Sequence, residues 1–180
     1  MRRGTERRLC RRSATRKVLL ASLAAGLIVV PRLSLTHLTR GEMKAEDFIQ
    51  YITVASPYTK WRTWPGKGKL YKAPSPHHGH GALLTTYVNR VGLRSLTEKK
   101  GMADGSIIVT ENYNADQSLA GITTMYKVAG YNPEAGDWYW LEATPTGSVV
   151  RSGKIQPCID CHRAQAEHDY LWTGESANGK

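Results

Sequence analysis

Ser106-Ile-Ile-Val-Thr-Glu-Asn112, Gly121-Ile-Thr-Thr-Met-Tyr-Lys-Val128 and Asp137-Trp-Tyr-Trp-Leu-Glu-Ala143 are three short runs rich in β-branched and aromatic residues. Asn114-Ala-Asp116 and Gly130-Tyr-Asn-Pro-Glu-Ala-Gly136 separate them, and Pro145-Thr-Gly147 follows the last. Turn signals this close, with no helical period between them, call for antiparallel hairpins rather than βαβ units. Upstream, Ala82 to Val88 (ALLTTYV) reads as a further strand. Asn89 can cap a helix running to about Lys100, where Gly101 ends it. Lys44 to Val54 places Phe48, Ile49 and Ile52 at helical spacing, and Ser56-Pro57 stops that run. Trp61 to Tyr71 and Pro74 to Gly81 read as long irregular loop. The fold class is therefore α+β, with helices packed on one antiparallel sheet.

With 180 residues there is room for one compact domain and a short appendage. The net charge of +10 suggests a nucleic-acid or membrane-surface binder until the charges are located. Seven arginines and Lys17 crowd residues 1–17 against a single Glu6, and the remainder is close to neutral with no basic stripe. Nucleic acid is thereby excluded as the expected partner. Val18 to Val30 is an uncharged apolar stretch closed by Pro31-Arg32. It is shorter than the roughly 20 residues that span a bilayer, and it fits a secretory h-region behind a positive n-region. Residues 1–32 are thus read as a signal peptide or an uncleaved N-terminal anchor, Cys10 belonging to that leader. Residues 33–180 form the functional domain, and the expected location is the periplasm.

The chemistry is concentrated at Cys158-Ile-Asp-Cys161-His162, the C-x-x-C-H pattern. At this chain's own cysteine and histidine frequencies roughly 0.002 chance occurrences are expected, so the match is informative. On a helical turn both thiols face one way and can add to the vinyl groups of one haem, and His162 can reach the iron from the same side. A redox dithiol would be expected beside a βαβ pattern, which is absent. A structural zinc site would have to recruit His162 or His168 and invent a fourth ligand. One covalently bound haem c, with Cys158, Cys161 and His162 as its attachment and ligand residues, is the reading these residues favour.

The sixth iron position is less legible. Met43, Met102, Met125 and the group His77, His78 and His80 are the candidate strong ligands. Any of them would give a six-coordinate electron carrier, whereas an apolar or weakly polar pocket would leave a site for a small molecule.

Leu83 to Asn89, Asp104 to Tyr113, Met125 to Trp138, the C-x-x-C-H motif and Asp169-Tyr-Leu-Trp-Thr173, in this order, resemble the cytochrome P-460 family over about residues 60–173. The resemblance implies a curved antiparallel sheet carrying a c-type haem near the C-terminal end, related to cytochrome c′-beta and usually homodimeric. It further implies that the histidine of the motif is the proximal ligand and that nitric oxide and similar molecules bind. One branch of that family oxidises hydroxylamine and links a lysine to its haem in a Val-Lys-Glu motif. Here that motif reads Val109-Thr110-Glu111, and the branch's distal glutamate and arginine fall near Thr123 and Leu84. The distal pocket is then expected to be lined by Leu84, Thr86, Ile108, Thr110 and Thr123. The resulting expectation is an exported monohaem cytochrome with an open distal site that binds nitric oxide and cycles one electron with a redox partner that the sequence leaves unnamed. A six-coordinate carrier, or a hydroxylamine-type oxidoreductase without the lysine link, are the alternatives.

Overall fold

The computed structural model describes residues 43–73, 80–98 and 100–172. The leader with Cys10, and the pair His77 and His78, lie outside them. Among the described residues, seven strands form one antiparallel sheet: β1 (Arg62–Thr63), β2 (Tyr71–Lys72), β3 (Leu83–Val88), β4 (Ile107–Tyr113), β5 (Leu119–Lys127), β6 (Trp138–Ala143) and β7 (Val149–Gly153). The order is β1-β3-β4-β5-β6-β7, with β2 also paired to β3. Three helices flank it: α1 (Ala45–Gln50), α2 (Arg90–Glu98) and α3 (Gln156–His162).

The four strands expected from the alternating runs are present as β3 to β6. Two corrections concern the loops. The segment read as irregular, Trp61 to Tyr71, contributes β1 and starts β2, which pair with the two ends of β3. A seventh strand, β7, follows the Pro145-Thr-Gly147 turn and closes the order against β6. The first helix is α-helical only as far as Gln50 and continues as a π-helical turn, Tyr51–Ala55.

Strand side chains alternate between the two faces of a sheet, and here the faces carry different cores. On one face Tyr87, Ile107, Val109, Ile122, Tyr126, Tyr139 and Leu141 pack with Phe48, Ile49 and Ile52 from the α1 segment. Phe48 is fully buried, stacked on Tyr126 with centroids 5.1 Å apart and edge-on to Tyr139 at 5.7 Å. Phe48→Ala is expected to cost about 3–5 kcal/mol, read as a lower urea midpoint at unchanged slope, with the opposite face of the sheet undisturbed. The same face holds the Glu111 carboxylate, which accepts hydrogen bonds from the hydroxyls of Tyr58 (3.0 Å), Tyr87 (3.2 Å) and Tyr113 (2.6 Å). Burial and this carboxylate raise all three phenols, Tyr113 to about 12.

On the other face Val88, Ile108, Met125, Trp138 and Trp140 pack with Ile155 and Ile159 around α3 and with Leu93 and Leu96 from α2. Asn89 caps α2 as expected, its Oδ1 accepting from Gly92 N at 2.8 Å. The same oxygen accepts from Ile107 N at 3.1 Å, which ties the start of α2 to β4.

Candidate functional site

The motif occupies α3, which Pro157 helps to start in the first turn. Cys158, Cys161 and His162 stand at i, i+3 and i+4, so one helix face presents all three. Neither thiol is oxidised, and both are half-buried. Cys158 Sγ donates to Glu142 Oε1 at 3.3 Å. Burial, and then the Glu142 hydrogen bond and charge, push this thiol up to about 12 against an opposing pull from Arg151. Among the described residues, no three His, Cys, Asp or Glu side chains converge as a metal cage.

His162 is buried, packed edge-on against Trp140 with centroids 4.7 Å apart. Its Nδ1 lies 2.6 Å from the Tyr170 carbonyl oxygen. A carbonyl only accepts, so Nδ1 carries the proton and the Nε2 lone pair is free for a metal. Burial pushes the imidazole down to about 4, a shift that the Tyr170 bond opposes and nearby His80 reinforces, so the ring is neutral at neutral pH. Second-atom partners of this kind fix a ligating histidine's tautomer and orientation.

The carbonyl is delivered by an unusual turn. After the 3-10 segment Arg163–His168, Asp169 and Tyr170 both adopt left-handed backbone, with φ of 56° and 64°. Non-glycine residues persist there only when their surroundings hold them, at a cost of about 1–3 kcal/mol each. Asp169 is held three ways: its carboxylate pairs with Lys127 Nζ and accepts from Met102 N at 2.7 Å, and its carbonyl accepts from Trp138 Nε1 at 3.0 Å. The Tyr170 ring lies so close to Gly136 that a Cβ there would meet it at 2.7 Å. Lys127 also sits over the Trp138 ring at 4.8 Å, so its amine is already engaged.

The five pocket residues expected from sequence share the α3 face of the sheet. Thr86, Thr110, Thr123 and Glu142 form one cross-strand row, and Val88, Ile108, Met125 and Trp140 form the next. Leu84 pairs with Asn112 in the row beyond. Thr86 Oγ1 is 3.1 Å from Thr110 Oγ1 and 2.7 Å from the Tyr71 hydroxyl, a short polar chain in the sheet wall. Thr110 and its neighbour Glu111 point to opposite faces, so of the Val109-Thr110-Glu111 motif only the threonine faces the site.

Of the candidate sixth ligands, Met43 packs on the far face, while Met102 and Met125 are buried in the apolar cluster beside α3. His80 is brought to His162, the ring centroids being 6.2 Å apart. Asn112, Glu142, Trp140 and the Tyr170 carbonyl complete the site and were not among the expected residues. Asn112 shares strand parity with Thr110, and Glu142 with Trp140, so parity was the available signal for both. No sequence pattern marks a backbone carbonyl.

The residues present fit a c-type haem: two thiols unpaired among the described residues, a neutral imidazole with Nε2 available, and beside it a buried Trp140 Nε1 that finds no partner among the described residues. A family model described as Cytochrome P460 matches residues 58–173. No curated protein matches the chain.

Proposed function

This chain belongs to the cytochrome P460 family, and from that premise we propose an exported cytochrome with one haem c, held by thioethers to Cys158 and Cys161 with His162 as proximal ligand. It cycles one electron and binds nitric oxide or a related small nitrogen ligand. The haem supplies a one-electron iron centre and a coordination position. His162 supplies the Nε2 lone pair, in an orientation set by the Tyr170 carbonyl. Trp140 packs edge-on against that ring and shields it from water, and the half-buried thiols sit on the same helix face. The threonine row offers short hydroxyls and little bulk, a wall that tolerates a small neutral ligand.

The observation that carries this reading is the His162 tautomer, fixed by a backbone acceptor within the rare C-x-x-C-H sequence. Absorption spectra of the ferric and ferrous protein, recorded with and without nitric oxide, test it. A c-type ferrous spectrum that changes saturably on addition of nitric oxide is expected. A spectrum indifferent to nitric oxide would remove the ligand-binding half of the proposal.

A further inference from the structure

His80 is not absorbed by the proximal side of the site, yet the structure fixes it closely. Its Nδ1 lies 2.8 Å from Asn112 Oδ1. The Asn112 amide nitrogen donates to the Thr110 carbonyl and to Thr123 Oγ1, each at 3.2 Å, so the amide orientation is set and Oδ1 is the accepting end. His80 Nδ1 must then be the donor. His162 is in the same state. Two imidazoles thus lie close together, each with Nδ1 anchored by an oxygen, which leaves Nε2 as the nitrogen each can offer.

Their separation is informative. Two imidazoles that share one metal at nitrogen distances of about 2 Å need ring centres within roughly 6 Å of one another, and the observed 6.2 Å, with the rings tilted by 55°, meets that requirement. A histidine that only hydrogen-bonded an iron-bound molecule would stand farther off, by that molecule's length and a contact of about 3 Å.

The backbone supplies an independent constraint. A Cβ at Gly81 would come 2.2 Å from the Tyr113 carbonyl oxygen and 2.5 Å from its nitrogen, so only glycine permits this approach of the chain to β4. The approach places the preceding residue, His80, beside Asn112 on the α3 face.

We infer that His80 is the sixth ligand of the iron, making the resting centre a six-coordinate bis-histidine haem that an external ligand enters by displacing His80. This rests on the reading of Cys158, Cys161 and His162 as a haem c site. The open pocket expected from the sequence is then closed at rest by the protein's own imidazole.

The test uses the full chain matured in a host that attaches haem c, comparing native protein with His80→Ala and His80→Met by ferric absorption and electron paramagnetic resonance. Native protein should be low-spin. His80→Ala should keep its covalent haem and turn high-spin, with added imidazole restoring low spin. If His80 is detached in one molecule in ten or fewer, the apparent nitric oxide affinity of ferrous His80→Ala should rise by about 10-fold or more. His80→Met retains bulk, guards against misfolding of the alanine variant, and should give a low-spin signature distinct from bis-histidine. A high-spin native centre with haem covalently attached would overturn the assignment of His80 alone, as would native low-spin spectra in both variants. A native protein without covalent haem would overturn the haem reading as well.

Discussion

The His162→Gly variant is expected to keep its haem and lose its native axial coordination. In the proposed site two thioethers, at Cys158 and Cys161, would hold the group independently of the iron, so attachment should survive. The imidazole that leaves is buried and neutral, anchored on the Tyr170 carbonyl. Its loss opens a cavity beside Trp140 that matches free imidazole in shape and polarity. The ferric spectrum should change completely, and imidazole added from solution should restore much of it. Axial ligands set haem potentials over about 0.8 V, so a displacement on the order of 100 mV is expected in a spectroelectrochemical titration. An unchanged spectrum would mean that another group is the axial base. Tyr170 presents its carbonyl through backbone held by Asp169, so replacing Asp169 should produce a weaker version of the same change.

The second large effect is an absence of activity. The catalytic branch that this chain resembles uses a lysine linked to the haem, a distal glutamate and an arginine. By the Val109-Thr110-Glu111 resemblance Thr110 falls where that branch has its lysine, and it lies on the α3 face with its hydroxyl within hydrogen-bond distance of that of Thr86. A threonine has no amine to form the link and is too short to span the same gap. The nearest substitute amine, Lys127, is paired with Asp169 and lies over Trp138. Thr123 and Leu84 cannot act as a general base or stabilise an anion. Glu142 is the one carboxylate in the threonine row, and it accepts from Arg151 Nε at 2.7 Å. General acid-base groups contribute roughly 10²–10⁴-fold, so hydroxylamine oxidation should fall at least about 100-fold below that of a lysine-linked relative. The ferrous spectrum should lack the red-shifted band that such a link produces. Rapid turnover with that band would show that Lys127 leaves Asp169 and that Glu142 serves as the base.

Much of this arrangement is legible in the amino-acid sequence. The alternation in SIIVTEN, GITTMYKV and DWYWLEA located the strands, the family resemblance singled out Leu84, Thr86, Ile108, Thr110 and Thr123, and the register of the sheet puts these five on one face. What escaped had physical reasons. β1 and β2 are two residues each, too short to show a side-chain period. In β7, Val-Val-Arg-Ser-Gly lies at the sheet edge with its middle residues exposed, so burial imposed no alternation. His80 was legible as a ligand type, but its place depends on Gly81 meeting Tyr113 across the sheet, a contact between residues far apart in the chain. The acceptor for His162 is a main-chain oxygen, delivered by two left-handed residues that no local propensity announces.

The most direct measurement is the mass of the purified chain after acid-acetone extraction, made on native protein matured in a host that attaches haem c and on the Cys158→Ser/Cys161→Ser double variant. Native polypeptide should retain the mass of one haem through the extraction, with both thiols closed to alkylation, and the double variant should carry none. Haem released into the organic phase, or native chain at its bare polypeptide mass with two alkylatable thiols, would contradict the assignment of Cys158, Cys161 and His162 as a haem c site.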